Sequence, residues 1–274
     1  IACGMAQTDK ISLLIDLGTN GEIVLGNKDW LVSCACSAGP AFEGVGIKCG
    51  IRAISGAIQR VEMLENNTKI KCETIDNQPA RGICGSGLVD IPGEFLRKKI
   101  IDRSGKFIPD SSPYLRQSYD GTEFVFVPAV ESATGMDIVL SETDIKILLY
   151  SKGAVYLGMS VLADEVGLSL DKIDQIYIAG GFGTYLDIEK AIFIGLLPDL
   201  PRNKFTFIGN SSITGTKICL LSHDARQLAE DIARKMTYIE LSVNPRFMNE
   251  FTATIFLPHT NIDLFPSVKK VLGE

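Results

Sequence analysis

ISLLIDLGTNGEIVLGNKDWLVSCAC, residues 11–36, decides the fold. Ile11 to Leu17 are apolar except for Ser12 and Asp16, the composition of a strand covered on both faces. Gly18-Thr19-Asn20-Gly21 then turns the chain into EIVLG, and Asn27-Lys28-Asp29 turns it into WLVSCAC. Neighbouring strands joined by connections this short pair antiparallel, so the stretch reads as a three-stranded meander.

Farther along, helices and strands alternate. A helix of about 25 residues starts at the capping-box-like S-E-T-D of Ser141 and carries Ile145, Leu148, Leu149, Val155, Met159, Leu162 and Val166 at helical spacing up to Gly167. IDQIYIAGG (173–181) is a β-branched run ending in glycines, followed by a short helix, DIEKAIFIG. FTFIGN (205–210) is another strand, and SSITGTKICLLS opens a helix of small residues. Ala225, Leu228, Ala229, Ile232, Ala233 and Met236 then form one apolar stripe of a terminal helix. Helix–strand alternation favours right-handed crossovers and parallel pairing. A meander extended in that way is a ribonuclease-H-like mixed α/β sheet. The expected nucleotide-binding half is 1–36 with 136–274, and 37–135 is an inserted α+β lobe packed on it. Within the lobe, AIQRVEML and TKIKCETI flank a hairpin turn at Asn66-Asn67, GICGSGLVDIPGEF feeds a short helix broken at Pro92, and the Pro, Ser, Asp and Gly of 102–119 read as a surface insertion.

In a sheet of this kind the carboxyl ends of the strands gather the functional loops, and three glycine-marked strand ends fall there. In the first, Asp16 ends a buried strand and can hold a hydrated Mg²⁺ or orient a water, Gly18 and Gly21 let backbone N–H groups approach phosphate oxygens, and Thr19 and Asn20 add polar contacts. Asn-Gly is also a favoured hairpin turn, but an acid at the end of so apolar a strand is costly unless used or paired. In the second, Gly180, Gly181, Phe182 and Gly183 lie between strand and helix, where a ligand can approach the main chain at the positive end of the helix; the pattern misses G-x-G-x-x-G. The third, Gly209-Asn210 and the helix after it, misses the P-loop spacing and reads equally well as close packing of a small-residue helix. Gly85-Ser86-Gly87 reads first as a capped turn.

Composition sets the outer limits. The 274 residues carry 27 Lys and Arg against 33 Asp and Glu without a basic cluster, which disfavours nucleic acid and anionic membrane surfaces as partners. No uninterrupted apolar run reaches the roughly 18 residues of a membrane span, and the amino end lacks a signal-peptide pattern, so the expected location is cytoplasmic. Seven cysteines at scattered spacings argue against a disulfide framework. Cys34 and Cys36 share one strand face and read as buried thiols ahead of a metal pair, because nothing completes four ligands. His223 and His259 stand alone and read as structural.

IDLGTNGE, IAGGFG and the GNSSITGT helix start together resemble the sugar kinase, heat-shock-protein and actin superfamily of ATPases. SAGPAFEG (37–44), GICGSGL (82–88) and ELSVNPRFMNEF (240–251) narrow the likeness to the carboxyl-terminal region of reductive activators of corrinoid proteins, from about Ile11 to His259. That resemblance implies ATP or ADP with Mg²⁺, a phosphate and Mg²⁺ loop from Asp16 to Asn20, an adenosine-side loop from Gly180 to Gly183, and Gly209-Asn210 beside the nucleotide. It further implies a corrinoid methyl-carrier protein as partner, a homodimer, and a [2Fe-2S] domain that supplies the electron. Such activators carry an earlier Asp-x-Gly-Thr loop and a four-cysteine ferredoxin pattern, neither of which occurs here. The expectation is therefore the carboxyl-terminal part of an activator, a weak or inactive ATPase by itself. Activators of 2-hydroxyacyl-CoA dehydratases, small-molecule kinases of the same superfamily, and a non-catalytic docking module are the alternatives.

Overall fold

The three strands expected at residues 11–36 are β1 (Ser12–Leu17), β2 (Gly21–Gly26) and β3 (Leu31–Cys36) in a computed structural model that describes residues 1–37, 39–181 and 186–274. There follow β4 (Ala57–Leu64), β5 (Lys69–Thr74), β6 (Gly82–Ile83), α1 (Gly85–Arg97), β7 (Leu115–Ser118), β8 (Gly121–Val127), β9 (Ile138–Ser141) and α2 (Glu142–Glu165). The remainder is β10 (Gln175–Ala179), α3 (Ile188–Phe193), β11 (Phe205–Gly209), α4 (Ser211–Leu221), α5 (His223–Lys235), β12 (Met236–Tyr238), α6 (Pro245–Thr254) and α7 (Pro266–Leu272). The chain divides into two compact units, one made of Ile1–Ser37, Ala154–Tyr185 and Leu200–Phe251, the other of Ala38–Gly153, Leu186–Asp199 and Thr252–Glu274.

The first unit holds a six-stranded sheet in the order β11-β10-β1-β2-β3-β12. β1, β2 and β3 pair antiparallel, and β10 pairs parallel with both β1 and β11. This is the ribonuclease-H-like α/β arrangement, with β12 added parallel to β3. Leu13, Ile15, Leu17, Ile23, Leu25, Ile176 and Ile178 are buried on one side of it. Cys34 and Cys36 are buried too, and burial raises both thiols, Cys36 to about 12. Among the described residues no three His, Cys, Asp or Glu side chains gather into a metal-binding group.

Helix α2 is long and apolar enough to cross a membrane by those criteria alone, but 78% of its apolar window is buried within the protein. It is a core helix. Its start is the capping box read from the sequence: Ser141 Oγ accepts from Asp144 N at 3.1 Å, and Asp144 Oδ2 accepts from Ser141 N at 2.9 Å.

The second unit carries the sheets β5-β4-β6 and β7-β8-β9. β6 pairs with β4 only at Ala57 and Ile58. Beyond that point helix α1 takes over the open edge: Asp90 accepts Val61 N at 2.7 Å and Glu94 accepts Met63 N at 3.0 Å, with Lys190 and Arg97 as their counter-charges. Two buried acids thus do for β4 what a neighbouring strand would do. The helix runs through Pro92 without a break, contrary to the expectation, because Pro92 is buried with its neighbours and that packing outweighs the one N–H it lacks. Residues 102–119 are likewise more than a surface insertion. Phe107 is buried and joins Phe95, and β7 pairs with β8. Phe95, Phe124 and Phe126 form the centre of this core, with ring centroids 4.6–5.9 Å apart.

Candidate nucleotide site at the strand ends

Parallel pairing brings the carboxyl ends of β1, β10 and β11 to one edge of the sheet. Asp16 is in register with Ala179, and Ala179 with Gly209. Directly opposite Asp16 on β2 stands Glu22, so two carboxylates share one face of the hairpin. Like charges so placed repel each other unless a cation lies between or beside them. Their hard oxygen donors suit a hydrated Mg²⁺, which is commonly held through one or two carboxylates.

Between Asp16 and Glu22 the chain reverses tightly. Gly18 N donates to Asn20 O at 3.0 Å, Thr19 and Asn20 are exposed, and Gly21 returns to pair with Leu17. Gly180 lies against this loop. A Cβ there would fall 2.3 Å from Leu17 O and 2.9 Å from Asp16 Oδ1, and its φ is +94°, so only glycine permits the approach. Gly180 N also donates to Gly209 O at 3.1 Å, tying the second loop to the third. Gly181 has open space around it. Phe182 and Gly183 lie outside the described residues.

Asn210 caps α4 by accepting Ile213 N at 3.0 Å. At the second position of the same helix, Ser212 Oγ donates to Asp16 Oδ2 at 3.3 Å. The structure therefore gathers Asp16, Gly18, Gly21, Gly180, Gly209 and Asn210 into one corner, bounded by the amino end of an eleven-residue helix. Sequence reasoning left Ser212 and Glu22 out of that group. The signals were a serine in the first turn after a strand-ending Gly-Asn, and the two-strand register that sets Glu22 opposite Asp16.

This corner is an oxygen-rich, glycine-lined strand edge beside a helix start, a combination that suits a phosphate chain with its Mg²⁺. The family model described as the C-terminal domain of RACo, the ASKHA domain, matches residues 10–269. The corrinoid activation enzyme RamQ of Eubacterium limosum is 35% identical over 260 residues, 92% of this chain and 43% of the relative. The [Co(II) methylated amine-specific corrinoid protein] reductase of Methanosarcina barkeri is 25% identical over 89% of this chain and 46% of its own length. Among solved structures, a reductive activator for corrinoid,iron-sulfur protein superposes with a TM-score of 0.91 at 53% identity, covering 97% of this chain and 42% of that one. The chain thus spans less than half the length of these relatives, and it belongs to the C-terminal ASKHA-domain family of reductive activators of corrinoid proteins.

Proposed function

We propose that this chain is the nucleotide-binding carboxyl-terminal part of an ATP-dependent activator that returns a corrinoid methyl-carrier protein to its reduced state. The observation that carries the proposal is the convergence of Asp16, Gly180 and the start of α4 at adjacent strand ends, joined by the Gly180–Gly209 and Ser212–Asp16 hydrogen bonds. In this reading Asp16, with Glu22 beside it, holds Mg²⁺ through water. The backbone of Gly18, Gly180 and Gly181 faces the phosphates and the adenosine side, and Asn210 fixes the helix start next to them. ATP supplies the free energy, and a [2Fe-2S] domain outside this chain supplies the electron for uphill transfer to cobalt. A homodimer belongs to the same proposal.

The likeness in family and the names of the relatives support a corrinoid protein as partner. Calorimetric titration with Mg-ATP and Mg-ADP tests the site itself. Micromolar binding that disappears in Asp16→Ala, with the fold intact, is the expected result. A second reading, a docking module for the partner, is favoured by one observation: no residue from Pro201 to Glu240 is buried, although this run contains two strands and two α-helices. Capture of the corrinoid protein that is indifferent to nucleotide and to Asp16→Ala would replace the first reading with this one.

A further inference from the structure

Lys152 lies in the second unit with 1% of its surface exposed. Among the described residues no carboxylate pairs with it, and burial drives its ammonium well below the ordinary lysine range. What opposes that cost is main chain. Its Nζ donates to Phe256 O and, at 2.6 Å, to Pro258 O. A second cation, Arg103, takes the other three carbonyls of the same segment: Leu257 O at 3.1 Å through Nε, and His259 O and Thr260 O through Nη2. Every carbonyl from residue 256 to residue 260 therefore points at a positive charge. The bend is also held from outside. Leu257 N donates to Arg103 O at 2.8 Å and Thr260 N to Ala253 O at 3.0 Å. Gly195, at φ +77°, admits the Pro258 carbonyl where a Cβ would stand 2.1 Å from the oxygen.

Converging carbonyl dipoles in a dry pocket are the chemistry by which proteins bind dehydrated alkali cations, and an ammonium head is a compact point charge of similar size to potassium. We propose that the bend at residues 256–260 is a monovalent-cation site whose cation is the tethered ammonium of Lys152, and that cutting back this side chain turns it into a site for free potassium or ammonium. The argument is independent of the nucleotide reading, since it uses no residue of that corner.

The test is thermal unfolding of the 274-residue chain in KCl, NH₄Cl, NaCl and choline chloride at equal ionic strength. The wild type is expected to be indifferent to the choice of salt. Lys152→Ala is expected to lose at least about 6 °C in choline, as a domain of this size does when buried polar partners are orphaned. Potassium or ammonium should restore part of that loss in a saturable way. Lys152→Met, which fills the space with an apolar chain, should lose stability without rescue by any salt. Equal losses for Lys152→Ala in all four salts, or failure to refold in any of them, would overturn the proposal. Arg103→Ala gives a milder check. The Leu257 and Thr260 amides should exchange faster in it, equally in every salt, because Lys152 still fills the site; potassium-specific protection there would contradict the assignment.

Discussion

Helices α1 and α5 are each 13 residues long, amphipathic and bounded by clear ends, yet eleven residues of α1 are buried and none of α5 is. The difference is one of surroundings more than of sequence. α1 fills the space beside β4, where its acids satisfy strand N–H groups and Phe95 sits in an aromatic core. α5 is followed by β12 at the sheet edge and preceded by α4, whose Leu220 and Leu221 are 74% and 86% exposed. Two exposed leucines side by side next to a half-covered stripe make a contiguous apolar patch. The lesson is that a helix can carry the full amphipathic pattern of a core element and still have no buried residue.

That contrast breaks most visibly at Phe95. Phe95→Ala removes a fully buried ring that touches Phe107, Phe124 and Phe126, and should cost about 3–5 kcal/mol in denaturant unfolding. A cost near zero would mean that the second unit has no more core of its own than the α4–α5 region.

Next in size is Glu123. Its side chain is 2% exposed and ion-paired with Lys48 at 2.9 Å and with Arg116 at 2.8 Å. Burial alone would raise its carboxyl, but the hydrogen bonds and charges of Lys48 and Arg116 outweigh burial and hold it below the usual carboxylate range. A depressed acid contributes stability that is complete above its unfolded-state pKa, near 4.3–4.5, and that falls away as the pH drops through the folded value. Glu123→Gln should therefore cost about 1.5–3 kcal/mol at neutral pH, with most of the difference from wild type gone in acid. A difference that is constant from pH 7 to pH 3 would show that the charge of Glu123 is not what stabilises β7 and β8.

Asp90→Ala tests how the edge of β4 is closed. Leaving Val61 N without its acceptor should cost about 1–3 kcal/mol and speed exchange of that amide. Slow exchange retained in the variant would mean that another group caps the strand.

How far the sequence shows these things depends on the range over which each signal acts. The meander, the capping box at Ser141, the hairpin at Asn66-Asn67 and the glycine-marked strand ends are local, and each forms where its residues say. Asp16 stood out because a lone acid in an apolar strand carries a desolvation cost wherever it goes. Asp90 and Glu94 carried no such flag. On a helix they look like solvated surface, and only the early end of β6, which leaves the edge of the sequence-distant β4 open, makes them acceptors. The carbonyl bend held by Lys152 and Arg103 was equally silent, since backbone oxygens leave no trace in composition. Pro92 misled for the same reason: the local rule says break, and the buried packing of α1 overrides it.

The smallest expected effect sharpens the comparison most. Leu220→Ser with Leu221→Ser, on the exposed end of α4, should change the unfolding free energy of this chain by no more than about 0.5 kcal/mol, because neither side chain leaves a cavity behind. In a longer protein of this family the same double substitution should cost several times as much if further chain covers the face, since each leucine would then be a core residue. A cost above about 2 kcal/mol in the present chain would mean that the face is already covered in solution. Stability that rises with protein concentration would then identify the cover as a second copy, through the mass-action linkage that ties apparent stability to association. Stability independent of concentration would instead place the cover within the chain, and would end the contrast between α1 and α5.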